Sequence, residues 1–125
     1  MRPVQREEIV DYVSYSDQRD TLRAQVLEAK RLRRYRVGPY LCFLFENRET
    51  VRYQVQEMMR VERIVRDRDI RHELDTYNEL LGQGGRLGCS LLIGIDDEAV
   101  RDRVLRAWID LNPHLYLRLE DGSTA

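Results

Sequence analysis

Leu22, Val26 and Ala29 stand at i, i+4 and i+7, which predicts a helix over about 17–33 capped by Ser16 or Asp17, after a short polar helix at Glu7–Val13. Gly38-Pro39 stops whatever precedes it. Tyr40 to Phe45 is a run of large apolar and aromatic residues, the pattern of a strand buried on both faces, and Glu46–Glu49 reads as a turn. Residues 50–55 fit two periods. Val51, Tyr53 and Val55 alternate as in a strand, yet Val51, Val55, Met58, Met59 and Val65 form a helical face that runs on to Asp67 without a breaker. Asn47 as cap and Glu49 in the first turn favour the helix.

A second helix follows at about 70–81 (Ile70, Leu74, Tyr77, Leu81), ended by Gly82. Leu87–Ile95 is the clearest strand. Asp96-Asp97-Glu98 opens a helix over about 97–109, Asn112-Pro113 breaks it, and His114–Leu119 alternates as a further strand; residues 121–125 read as a frayed tail. Together these elements predict an α+β class: one domain over residues 1–125, with an N-terminal arm at 1–16, built as a small, mostly antiparallel sheet of three to four strands covered by helices on one face.

At 125 residues, 42% hydrophobic and 34% charged, the chain is too apolar for disorder and too charged for a membrane protein. No secretory pattern is visible in Met1–Glu8, so a cytoplasmic protein is expected. The formal net charge is −1, and all of the 21 basic residues except Lys30 are arginine. Cys42 and Cys89 lie in apolar runs and are expected to be reduced core residues.

On a helix, Arg52, Gln56, Arg60 and Arg63 fall on one stripe with Tyr53 and Glu57 alongside, a set able to grip a carboxylate or phosphate, and this is the main candidate surface. The same residues have intrahelical ion-pair spacing, which describes a solvated face. Lys30, Arg31, Arg33, Arg34 and Arg36 make a weaker basic patch near Tyr35 and Tyr40. A nucleic-acid role for it is disfavoured by the overall charge and the lack of a motif. His72 and His114 fit no two-ligand motif, so no metal and no cofactor is expected. The glycines of 82–88 follow a helix and open a strand, the reverse of a phosphate loop, and Asp96–Glu98 reads as a helix cap. No catalytic residue is assigned.

The strings Arg33–Pro39, Phe45–Arg48 and Thr50–Ile64, with Gln56-Glu57-Met58-x-Arg60-x-Glu62 as the most specific part, resemble a bacterial domain-of-unknown-function family, and Glu73–Leu80 and Leu91–Ile93 continue the resemblance. Genes of that family often stand beside those for rubrerythrin-like proteins and iron–sulfur oxidoreductase subunits. The resemblance therefore implies a redox or oxidative-stress setting, not an activity, and a redox-associated protein partner. The leading expectation is a non-enzymatic accessory protein. A binding module for a small anion or a nucleic acid through its arginines is the alternative, and a small enzyme using Glu57 with Tyr53 or His72 is the third. A homodimer through a strand edge or the tyrosine-rich surface is also open.

Overall fold

The structure, a computed structural model, describes residues 1–124. Helices α1 (Tyr12–Arg31), α2 (Arg48–Glu62), α3 (Asp67–Asn78) and α4 (Glu98–Ala107) are joined by strands β1 (Arg34–Val37), β2 (Leu41–Phe45) and β3 (Cys89–Ile93), in an α+β arrangement. The chain divides into two compact units, Met1–Ile93 and Gly94–Ala125.

Helix α1 starts earlier than its apolar triplet announces. Asp11, not Ser16 or Asp17, is the cap: its carboxylate accepts from the N–H groups of Val13 and Ser14. Tyr12, Tyr15, Arg19, Leu22, Val26 and Ala29 then repeat at alternating spacings of three and four, and every one is buried or half-buried. That stripe packs against α2. The helix forecast at Glu7–Val13 is only a 3-10 turn at Arg6–Glu8.

Residues 50–55 are helical. Asn47 caps α2 through its side chain on Thr50 N, while Thr50 Oγ accepts from Asn47 N at 3.0 Å. The helix stops at Glu62 rather than Asp67, because Arg63 turns left-handed (φ 52°) and Ile64 N–H closes on Met59 O at 3.0 Å. Helix α3 likewise sits three residues ahead of its expected span, with Asp67 and Asp69 in its first turn. Val51, Val55 and Met59 of α2 meet Ile70 and Leu74 of α3, together with Val4, Ile9 and Leu81, to form the main core. Gly82 and Gly88 cross closely in the loop after α3: a Cβ on Gly88 would lie 1.8 Å from Leu80 O.

The N-terminal segment is held by two primary amides. Asn78 accepts from Val4 N and donates to Val4 O, and Gln56 does the same for Val10. Each side chain thus takes the place of a strand partner for one residue.

The sheet has the order β1-β2-β3 and is antiparallel throughout. Strand β1 lies where the basic run was expected to end a helix; Gly38 (φ 61°) makes the turn into β2. β2 is half-buried along most of its length, and of its residues only Leu44 is buried, so it is not covered on both faces as expected. Phe45 pairs with Cys89 and Cys42 with Leu92, so the two cysteines occupy opposite faces of the sheet and cannot join within one chain. Cys89 is exposed, contrary to its expected place in the core.

In the second unit Asp97 caps α4 by accepting from Val100 N at 2.8 Å, as the acidic triplet suggests. His114–Leu119 is not a strand. Asn112–His114 is a 3-10 turn, and a single bridge joins Arg118 to Thr124 across a bend at Gly122, so the frayed tail expected from residue 121 is tied back at least to Thr124. Ala125 lies outside the described residues. Among the described residues no helix is long and apolar enough to cross a membrane.

Candidate functional site at the α1–α2 interface

Glu57 sits at the centre of the contact between α1 and α2. Arg19 approaches it with both arms, Nε to Oε1 at 2.7 Å and Nη2 to Oε2 at 2.9 Å, and the Tyr15 hydroxyl donates to Oε1 at 2.8 Å. The Arg19 fork, opposed by burial and aided by Tyr15 and Arg60, holds the Glu57 carboxyl down to about 2. Burial, then the Glu57 charge, pushes the Tyr15 phenol far up. A carboxylate held this firmly in its charged form is a poor proton acceptor at neutral pH.

The other stripe residues have separate duties. Gln56 is buried and spent on the Val10 backbone. Arg60 reaches Glu57 Oε2 only at 3.4 Å and keeps a buried Nε without an acceptor. Arg63 is exposed and serves as the left-handed end of α2.

Arg52 and Tyr53 do something else. They line a cleft of about 410 Å³ between α1, α2 and the segment around Val10. Leu22, Val26 and Tyr15 give it an apolar and aromatic side, while Gln18, Gln25 and Glu49 supply polar groups. Glu8 also faces it but is engaged by Arg48. Among the described residues neither Arg52 nor Glu49 has a side-chain hydrogen bond or ion pair. The Tyr53 ring carries Lys30 Nζ at 5.1 Å from its centroid, and burial lowers the Lys30 pKa against the pull of Glu46 and Glu57.

Glu46, at the end of β2, is almost fully buried and accepts from the hydroxyls of Thr50 and Ser90, tying the sheet to the first turn of α2. Burial, then the Glu46 charge, raises the Cys89 thiol. His72 lies exposed on α3, far along the chain from this cleft and not among its lining. Among the described residues no three His, Cys, Asp or Glu side chains gather to hold a metal ion.

The structure thus joins Arg52, Tyr53 and Gln56 in one cleft, with Gln56 also holding the Val10 backbone, and gives Glu57, Arg60 and Arg63 to the scaffold; of the basic patch, Lys30 reaches the Tyr53 ring, while Arg31, Arg33, Arg34 and Arg36 are not among the lining. Of that patch Arg31 is paired with Glu28 and Lys30 is half-buried. Sequence reasoning missed Tyr15, Arg19, Gln18, Gln25 and Glu49. The signal that reaches the first two is the spacing of three and four from Tyr12 onward, which passes through polar positions.

The family described as Protein of unknown function (DUF3501) matches residues 3–125, and the chain belongs to it. It is similar to a protein of unknown function from Burkholderia pseudomallei K96243 known from a crystal structure, with 30% identity and a TM-score of 0.90 over 97% of this chain and 68% of that one. No curated protein matches the chain significantly.

Proposed function

We propose that this member of the DUF3501 family is a binding module, an accessory protein rather than a catalyst, that takes a small carboxylate-bearing molecule into the α1–α2 cleft. The observation that supports this reading is the pair of charges, Arg52 and Glu49, unpartnered among the described residues, on a cleft where Glu8 is held by Arg48 and the Tyr15 hydroxyl by Glu57. A guanidinium grips a carboxylate with two parallel hydrogen bonds. The Leu22 and Val26 side of the cleft receives an aliphatic or aromatic body, and a volume of about 410 Å³ suits a small metabolite. The state of Glu57 argues against the enzyme reading, because its oxygens are occupied and its charge is fixed.

Thermal-shift and calorimetric titration with a panel of aliphatic and aromatic carboxylates, with inorganic phosphate alongside, tests the proposal. A carboxylate should raise the melting temperature of the wild type and lose its effect in Arg52→Ala, with partial recovery in Arg52→Lys. Silence across the panel, or equal binding by Arg52→Ala, would remove the reading.

A second reading, an accessory protein docked on a redox partner, follows from the family resemblance and is favoured by Arg33, Arg34 and Arg36, which have no ion pair among the described residues. Co-purification under reducing conditions that enriches an iron–sulfur or rubrerythrin-like protein, and loses it in Arg34→Glu, supports that reading; a clean bait removes it.

A further inference from the structure

Among the described residues strand β1 has β2 on one side and no strand on the other. The phase of its hydrogen bonds decides what that open side offers. Phe45 N–H donates to Arg33 O at 3.0 Å, which makes Arg33 and Phe45 a hydrogen-bonded pair. Bonded and non-bonded pairs alternate in an antiparallel ladder, so Tyr35 with Phe43 and Val37 with Leu41 exchange bonds with β2. The N–H and C=O groups of Arg34 and Arg36 therefore point outward, to the open edge.

The side chains of the same residues are sorted by face. Arg34 and Arg36 rise on the face shared with Leu44 and Cys42, and both are exposed with no ion pair among the described residues. Tyr35 and Val37 rise on the other face at 58% and 54% exposure. There they continue two apolar rows across the sheet, Tyr35–Phe43–Leu91 and Val37–Leu41–Ile93. The Tyr35 ring is steadied edge-on against Phe45 at 5.8 Å.

An open edge is ordinarily a hazard that proteins blunt with charge. Here the charge is all of one sign and on one face, so it selects as well as blunts. A second copy adding its β1 about a two-fold axis normal to the sheet would set Arg34 opposite Arg36 of the copy, and like charges directly opposite are destabilising. A strand with acids on that face and apolar residues on the other satisfies both rows at once.

We propose that the outer edge of β1 is a docking site for an extended segment of another protein that alternates acidic with apolar residues and adds to the sheet as its fourth strand. Its backbone bonds to the N–H and C=O groups of Arg34 and Arg36, its carboxylates meet their guanidinium groups, and its apolar residues extend the Tyr35 and Val37 rows. The inference is independent of the α1–α2 cleft, and Arg52→Ala leaves it untouched.

The test uses the full chain and a fluorescent peptide of about eight residues alternating glutamate with valine. A lysine–valine peptide and a glutamate–valine peptide N-methylated along its pairing edge serve as controls. The glutamate peptide is expected to bind in a salt-sensitive way and to slow amide exchange at Arg34 and Arg36, while both controls stay silent. Arg36→Ala should weaken binding about fivefold by removing one charged contact, and Arg36→Pro should weaken it further by also removing an outward N–H that the sheet itself does not use. An unchanged circular dichroism spectrum keeps the proline variant interpretable. Equal binding of the N-methylated peptide, or binding without protection at Arg34 and Arg36, overturns the proposal. So does tighter binding of a single-stranded RNA oligonucleotide that displaces the peptide, which would assign the arginines and Tyr35 to nucleic acid. Protection of those amides in the protein alone, with a dimer by light scattering, would show that a copy covers the edge and would overturn it as well.

Discussion

Arg19 and Arg60 at the α1–α2 contact and Arg34 and Arg36 of β1 are the same residue in the same chain, and their situations are opposite. Arg60 and the Arg19 that crosses to α2 close on a single carboxylate between two helices, in a contact where both partners are mostly buried. Among the described residues Arg34 and Arg36 stand on an open strand without a carboxylate partner. In the first setting the positive charge belongs to the fold, since removing its partner would strand it away from water. In the second the charge costs the fold nothing and is available to something else. The number of arginines in a sequence says little about binding. Where each one finds its acid says much more.

The largest effect should come from breaking the helical side of this comparison. Glu57→Gln leaves Arg19 facing a donor and Tyr15 with a weaker acceptor; a loss of about 2 kcal/mol is expected in urea unfolding, below the full cost of a buried pair because Arg19 and Glu57 retain some exposure. Wild-type stability in that substitution would mean that α1 and α2 are held by apolar packing alone.

A smaller, more specific effect appears with pH. The Glu57 carboxyl titrates near 2 in the folded chain against 4.5 ordinarily, so its contribution is fully present above pH 4.5 and drains away as the pH falls toward 2. Glu8, Asp11 and Asp67 are lowered as well and add to the same acid loss. The difference between wild type and Glu57→Gln isolates the one carboxylate: it should narrow over that window, and a constant difference would show that the ion pair is not what Glu57 contributes.

The smallest effect belongs to the strand. Replacing Arg34 and Arg36 together by alanine should move stability by no more than about 0.5 kcal/mol, as exposed and unpaired side chains do. A large loss there would mean that the two sets of arginines are alike after all.

The two regions also differ in how far they could be read in advance. Helix α2 was legible because its information is local: Asn47 caps, the apolar period persists through Met59, and Glu49 lies in the first turn. The α1 half of the site was not, since Arg19 meets Glu57 across 38 residues and a charged position in an apolar stripe reads as solvated until its partner is known. Strand β1 was hidden for another reason. Four residues of Arg-Tyr-Arg-Val prolong the charge of the preceding helix end, and only pairing with β2 makes them a strand. His114–Leu119 is the reverse case. Its alternation is clean, but among the described residues only the Arg118–Thr124 bridge and the bond from Leu119 N–H to Ser123 O tie it back, and a period of two without a neighbouring strand has no ladder to hold it.

The amide clamps on the N-terminal segment have a consequence for the time at which this chain becomes whole. Gln56 lies 46 residues after Val10, and Asn78 lies 74 after Val4. During synthesis at about 5–20 residues per second, Val4 waits roughly 4 to 15 s for the side chain that will hold it. Val4 and Ile9, buried at the end, gain the last of their core partners, Leu74 and Leu81, only at about the end of that interval. The N-terminal segment is thus among the last parts of this fold to be fastened, and its docking marks the completion of the helical layer beneath it.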